Sequence, residues 1–274
     1  LEAGIVNDAQ MEVLLSDLLD NYGYDFTGYS KASLKRRISR LYVLDRMLSF
    51  AEFRYRISSD PVYFKRLVEQ ITVNVTEMFR DPLFFKTLRQ TILPKLGTYP
   101  LIRIWVAGCS TGEEAYSIAI ILKELNLLHK SLIYATDLNP SVLEKAAQRM
   151  FSLSQMKQYS ENYIISGGTQ DFSSYYIANY SLANFSQGLR EKIIFSTHNL
   201  VSDHSFNEFQ LILCRNVLIY FDRDLQHKVL QLFNDSLENF GYLALGSKET
   251  IDFSENAKKY TRVPGEKIWR KDGQ

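Results

Sequence analysis

Ile104-Trp105-Val106-Ala107-Gly108-Cys109-Ser110-Thr111-Gly112-Glu113-Glu114 reads as a buried strand that runs into a glycine-containing turn and then a helix. Small residues in such a turn let a ligand approach the backbone. A turn of this kind can hold a pyrophosphate on helix N–H groups, but adjacent carboxylates at Glu113 and Glu114 repel phosphate and suit a ligand with cationic groups. S-adenosylmethionine, with its sulfonium and its ammonium, is such a ligand. The plainer alternative is a tight turn with solvated glutamates. About 25 residues downstream, Ile133-Tyr134-Ala135-Thr136-Asp137 ends a second apolar run in an acid. A carboxylate there can accept hydrogen bonds from both hydroxyls of a ribose, or it can cap the helix that starts near Pro140. A third constellation is Cys214-Arg215-Asn216-Val217-Leu218-Ile219-Tyr220-Phe221. Core packing accounts for Val217, Leu218 and Ile219. It does not account for Arg215 and Asn216, because a buried guanidinium without a partner is costly.

These residues need a scaffold, and the chain supplies two kinds. From Ala9 to about Gly97 the pattern is helical. Met11, Leu14, Leu15, Leu18 and Leu19 recur at three- and four-residue spacing, which predicts a helix ending near Gly23. A second helix is expected over Lys31 to Arg46, with Leu34, Ile38 and Leu41 inward and Arg36 and Arg40 outward. Further helices are expected after Asp60-Pro61 and Asp81-Pro82, where an acid followed by proline favours initiation. The stretch from Thr72 to Arg80 is expected to be irregular. Beyond Pro100, strands over Leu101–Ala107, Leu132–Thr136, Lys192–Ser196, Gln210–Leu213 and Tyr242–Leu245 alternate with helices over Gly112–Leu125, Asn139–Met150 and Asp222–Phe240. That alternation implies a parallel sheet. Tyr260 to Arg270 reads as a closing antiparallel hairpin, and Tyr163 to Gly188 as a small β-rich insertion.

With 46% hydrophobic and 23% charged residues in 274, the chain reads as a soluble globular protein with a substantial core. Lysine and arginine total 32 against 31 acids, so the net charge of +1 gives no global pull toward nucleic acid or an anionic membrane. Cys109 and Cys214, the two cysteines, match no metal-ligand spacing and no disulfide framework, and a reducing, cytoplasmic setting is expected. No apolar run approaches the roughly 20 residues that span a bilayer.

The Gly108–Glu114 and Cys214–Phe221 stretches resemble the signatures of the chemotaxis receptor methyltransferase (CheR) family. Asn74-Val75-Thr76-Glu77-Met78-Phe79-Arg80, Leu143-Glu144-Lys145-Ala146 and Asn199-Leu200 extend the resemblance over nearly the whole chain in the family's order. It implies an α/β protein with a Rossmann-like S-adenosylmethionine-dependent methyltransferase fold, an N-terminal helical domain over residues 1–85, a methyltransferase domain over 86–274 and a small inserted β-subdomain over 155–190. Cofactor contacts carried over from the family fall on Asn74, Thr76, Arg80, Glu114, Asp137, Asn199, Leu200, Arg215 and Asn216, with Gly108 in the turn. Arg80, Arg215 and Tyr220 are the expected acceptor-holding, catalytic groups. Loop self-capping is the alternative for Asn74 and Thr76, and a turn for Asn199. The chain departs from the family at Gly246-Ser247-Lys248-Glu249, where Gly-His-Ser-Glu is common, and in the insertion at Ile165–Asp171.

The implied activity is transfer of a methyl group from S-adenosylmethionine, leaving S-adenosylhomocysteine, to glutamate side chains of chemoreceptors. No metal is expected. The partner is the helical cytoplasmic region of a chemoreceptor, met by the basic cluster Lys35, Arg36, Arg37 and Arg40, and the protein itself is expected to be a monomer without membrane insertion. A non-catalytic S-adenosylmethionine-binding scaffold is the alternative. Methylation of a nucleic acid base is disfavoured by the near-neutral charge and the lack of an Asn-Pro-Pro-Tyr-like tetrapeptide.

Overall fold

The computed structural model describes residues 6–72 and 75–273. Asn74 therefore lies outside the described residues. The chain divides into two units, Leu1–Asn74 with Leu218–Val229, and Val75–Val217 with Leu230–Gln274. Among the described residues no helix is long and apolar enough to cross a membrane.

The first unit is helical. Asn7 opens α1 (Asp8–Tyr22) with a reciprocal capping box to Gln10, and Gly23 closes it in the left-handed region at φ 72°. The apolar period places Leu14 and Leu18 fully inside. Then come α2 (Lys31–Leu44), α3 (Phe50–Ser59) and α4 (Pro61–Ile71). Asp60 starts α4 as its sequence suggests, accepting from the N–H groups of Val62 and Tyr63 at 2.9 and 3.2 Å. Leu34, Ile38 and Leu41 of α2 join Phe53, Ile57, Leu67 and Ile71 in the buried core. Each such side chain removed from water is worth about 1.5–3 kcal/mol.

The second unit begins with α5 (Pro82–Thr87), a π-helical turn (Leu88–Ile92) and α6 (Leu93–Leu96). Strand–helix alternation follows: β1 (Ile102–Ala107), α7 (Glu113–Glu124), β2 (Ser131–Asp137) and α8 (Pro140–Ala147). Three short strands, β3 (Met150–Ser152), β4 (Tyr176–Asn179) and β5 (Leu182–Phe185), form a separate antiparallel sheet in the order β3-β5-β4, with α9 (Met156–Ile165) between the first two in sequence. After α10 (Gln187–Arg190) come β6 (Ile193–Thr197), β7 (Phe209–Cys214), α11 (Arg223–Ser236), whose residues up to Val229 are counted with the first unit, β8 (Leu237–Leu245), β9 (Tyr260–Arg262) and β10 (Ile268–Lys271). The large sheet has the order β6-β2-β1-β7-β8-β10-β9. It is parallel from β6 to β8 and antiparallel at β10 and β9, so it is mixed.

Two helices are shorter than their sequence period predicts. Residues after Ala147 leave α8 because Met150 pairs with Asn184 in the small sheet. Residues after Ser236 leave α11 because Leu237 pairs with Phe209, and an irregularity in β8 then carries the register to Leu211 and Tyr242. In both places cross-strand hydrogen bonds override helical propensity.

Candidate functional site

The strand order reverses at β1, whose neighbours are β2 on one side and β7 on the other. Ligands of open α/β sheets bind beyond the carboxyl ends of strands at such a switch point. The carboxyl ends of β1, β2, β6 and β7 and the segments that follow them carry Gly108, Glu114, Asp137, Asn199, Leu200, Arg215 and Asn216, while Thr76 and Arg80 lie on the segment before α5.

After β1 the chain turns through two left-handed glycines, Gly108 at φ 73° and Gly112 at φ 93°. A Cβ on Gly108 would lie 2.4 Å from Val217 Cγ2, and one on Gly112 would lie 2.9 Å from Ala146 Cβ. Only glycine lets this turn pass so close to its neighbours. The N–H groups of Gly108 and Cys109 both donate to the Thr136 carbonyl, at 2.8 and 2.9 Å, which ties the turn to the end of β2.

Asp137 completes β2 and is buried. Its carboxylate accepts from Ser110 N–H at 2.9 Å and from Asn139 N–H at 3.0 Å. It does not cap α8; Asn139 does that, by accepting from Ser141 N–H. Burial pushes the Asp137 carboxyl up from its ordinary pKa, and the backbone donors oppose the rise. Burial likewise raises Glu113, against a hydrogen bond from Thr111. The thiols Cys109 and Cys214 are driven well above the ordinary thiol range by burial, with nearby carboxylates adding to it, and neither is suited to act as a nucleophile.

Arg215 donates to three acceptors. Its Nη1 donates to Glu114 Oε2 at 2.6 Å, and its Nη2 donates to Asp81 Oδ2 at 2.6 Å and to the Arg80 carbonyl at 3.0 Å. The Phe84 ring lies 4.1 Å from its guanidinium carbon. With its side chain only 2% exposed, Arg215 fastens the first turn of α7 and the start of α5 to the end of β7. Both Nη atoms are thus engaged by the protein's own acceptors. The segment before α5 is tied down twice more, by Phe79 N–H on Ser117 Oγ at 3.0 Å and by Asn162 Nδ2 on the Met78 carbonyl at 3.1 Å. Arg80 is half-buried and donates through Nη1 to Val75 O at 3.2 Å. Thr76 sits on the same segment.

Asn216 holds the left-handed region at φ 61°, and its N–H donates to Glu249 Oε2 at 3.0 Å. The same oxygen accepts from Gly246 N–H at 2.6 Å. Ser247 and Lys248 are exposed, so the departure from the family's pattern points to solvent while the buried carboxylate braces the loops. Asn199 follows His198, whose N–H donates to the Asp137 carbonyl at 3.2 Å. The Asn199 side chain accepts from Val201 N–H at 2.9 Å, the self-capping turn that its residue type allows. Leu200 is half-buried beside it.

Sequence reasoning did not assign Asp81 or Glu249 to the site. Asp81 reads as a helix cap before proline, and Glu249 as the end of a divergent motif. The signal available for both was an acid within a few residues of motifs already singled out.

Tyr220 and the basic cluster of α2 belong to the helical unit. Lys35 pairs with Asp8 at 2.7 Å, Arg37 donates to the Ile71 carbonyl and lies over the Tyr220 ring, and Arg36 and Arg40 are exposed.

Two observations test whether the sheet unit suits an adenosyl sulfonium ligand. Among the described residues, Ser110 Oγ and Asn139 Nδ2 are buried without partners on the two residues whose backbones hold the Asp137 carboxylate. Orphaned polar atoms beside a buried carboxylate make a cradle that a hydroxylated ligand would satisfy. The Asp137 carboxylate, with two backbone donors on it, keeps acceptor sites for the hydroxyls of such a ligand. The residues fit.

Comparison with known proteins gives the same direction. Residues 74–267 match the model of a CheR methyltransferase, SAM binding domain, and residues 9–72 match a CheR methyltransferase, all-alpha domain. Cher3 of Pseudomonas putida is 44% identical over 265 residues, covering 96% of this chain and 97% of its own length. A chemotaxis protein methyltransferase of Listeria innocua is 33% identical over 84% of this chain and 85% of its own, and one of Borreliella burgdorferi is 32% identical over 93% of each.

Proposed function

The chain belongs to the CheR methyltransferase family, and from that premise we propose that it methylates glutamate side chains of chemoreceptors, with S-adenosylmethionine as donor. The observation that carries the reading is the buried Asp137 carboxylate, set against a glycine turn and flanked by the orphaned Ser110 hydroxyl and Asn139 amide. Asp137 would hold the ribose, with Gly108 giving the adenosyl group access to the backbone and Glu114 and Asn216 lining the pocket. Thr76, Arg80, Asn199, Leu200 and Arg215 are the remaining cofactor contacts expected from the family motifs among the described residues. When bound, the donor supplies a methyl group on a positively charged sulfur.

The acceptor makes few demands on the protein. A glutamate side chain has a pKa near 4.3, so at neutral pH it is already an anion and needs no general base. What remains is to hold that carboxylate in line and to keep water away, and orientation of this sort can supply much of a rate enhancement. Arg80 and the Tyr220 hydroxyl are the proposed acceptor-holding groups. The roles of Arg80 and Arg215 separate on their partners: among the described residues Arg80 donates to one backbone carbonyl, whereas both Nη atoms of Arg215 are engaged by Glu114 and Asp81 and it acts by bracing. Exposed Arg36 and Arg40 would meet the acidic surface of the receptor.

The test is transfer of labelled methyl from S-adenosylmethionine to chemoreceptor membranes, read as base-labile ester. Incorporation by the wild type, with strong loss in Arg80→Ala and Tyr220→Phe at saturating donor, is the expected result. Donor binding by calorimetry without any ester would replace the enzyme by the scaffold reading.

A further inference from the structure

Tyr220 rides on a single 3-10 turn, Leu218–Tyr220, and the helical unit fixes the backbone of that turn. Ser30 N–H donates to the Tyr220 carbonyl at 2.8 Å, and Asp222 N–H donates to the Gly28 carbonyl at 2.8 Å. Between them Tyr29 and Phe221 form an isolated antiparallel bridge, with rings edge to face at 4.9 Å. These contacts place the Cα of Tyr220 but leave its ring free to choose among rotamers, and the ring is only half-buried.

Arg37 closes that freedom. Its guanidinium carbon lies 4.6 Å from the centroid of the Tyr220 ring, and its Nη1 donates to the carbonyl of Ile71, the last residue of α4. A carbonyl in the last turn of a helix has no intrahelical donor and favours a cation. The guanidinium is therefore anchored through Nη1 while its carbon sits over the ring. This is an odd use for a charge whose task is to attract an acidic partner, since the guanidinium is half-buried between a ring and a carbonyl. Arg36 and Arg40 keep their charges in solvent instead.

We infer that Arg37 is a positioning residue, whose guanidinium, anchored on the C-terminus of α4, holds the Tyr220 ring so that its hydroxyl is presented in one orientation. The inference rests on the reading that the Tyr220 hydroxyl holds the acceptor carboxylate. A planar cation is required for it. Lysine keeps the charge but cannot fork onto a carbonyl and cover a ring at once.

The experiment compares Arg37→Ala, Arg37→Lys, Tyr220→Phe and the Arg37→Ala/Tyr220→Phe double variant in receptor methylation at saturating donor, with Arg36→Ala and Arg40→Ala alongside. Arg37→Ala is expected to lower kcat about tenfold with little change in the receptor KM, and Arg37→Lys to recover little of the loss. Arg36→Ala and Arg40→Ala are expected to raise the receptor KM. Because Arg37 acts through the hydroxyl, the double variant is expected to be no slower than Tyr220→Phe. A second readout is independent of turnover. The Tyr220 ring current should shift the Arg37 Nε–H resonance upfield, a shift that Tyr220→Phe keeps and Tyr220→Leu removes. Additive losses in the double variant, a raised receptor KM at unchanged kcat in Arg37→Ala, full activity of Tyr220→Phe, or an Nε–H resonance indifferent to Tyr220→Leu would each overturn the inference. A wild type that esterifies no receptor overturns the proposed function, and the resonance then decides by itself whether Arg37 holds the ring.

Discussion

Burial raises the carboxyl pKa of Glu113 from its ordinary value of 4.5, so the folded protein binds that proton more tightly than the unfolded chain does. The stability tied to it is fully present below the ordinary value and is lost as pH rises through the folded one. Glu113→Gln is expected to flatten that part of the stability profile, measured by urea unfolding across pH 4 to 8, while leaving the helix start in place. A profile unchanged by the substitution would show that Glu113 is not desolvated. Gly108 makes a different demand. At φ 73°, with a methyl group destined to strike Val217 Cγ2, Gly108→Ala adds left-handed strain of roughly 1–2 kcal/mol to overpacking of about 1–3 kcal/mol. Lower stability and weaker donor binding by calorimetry are expected together. Asp81 shows how residue type alone misleads: like Asp60 it precedes a proline and a helix, yet it makes no cap bond and binds Arg215 instead.

At the scale of elements, α7 joins the two ends of the sheet unit's chemistry. Its first turn holds Glu113 and Glu114, where carboxylates also gain from the helix dipole. Its last residue, Glu124, has a side chain only 4% exposed and accepts from Arg89 on the π-helical turn, from Tyr163 on α9, and from Tyr175 at 2.9 Å. The small sheet's surroundings are thereby fastened to the large sheet's first helix. Burial alone would raise the Glu124 pKa, but these donors hold it below its ordinary value. Its contribution to stability is therefore present above pH 4.5 and lost as pH falls through the folded value. Removing one partner of a buried pair leaves the other uncompensated, so Glu124→Ala is expected to cost about 3–5 kcal/mol in urea unfolding at pH 7. A loss under 1 kcal/mol would mean that the cluster is hydrated. Strands β4 and β5 of the small sheet were visible in sequence only as an aromatic, polar stretch, because each is too short to show its own period, and β3 was missed because its first residue read as the end of a helix.

For the molecule as a whole, a net charge of +1 means that attraction to an acidic receptor must come from local groups. Arg36 and Arg40 are exposed and screened by salt, and receptor methylation is expected to weaken as ionic strength rises, with the receptor KM increasing several-fold between about 0.05 and 0.5 M. A salt response equally steep in the Arg36→Ala/Arg40→Ala double variant would locate the attraction elsewhere. The sequence by itself determined the helical start, the alternation of strands and helices and the turn at Gly108, since each depends on periods and turn residues read over a dozen positions. The candidate acids and the arginine were legible for the same reason, as polar residues where apolar runs end. Only the tertiary structure decided what they hold. Arg215 is 134 positions from Asp81 and 101 from Glu114, and Glu249 reaches back 33 to Asn216. A carboxylate near a helix start can satisfy local N–H groups or a distant guanidinium equally well by its chemistry. Packing selects between them, because it alone brings one partner within 3 Å and excludes water from the other.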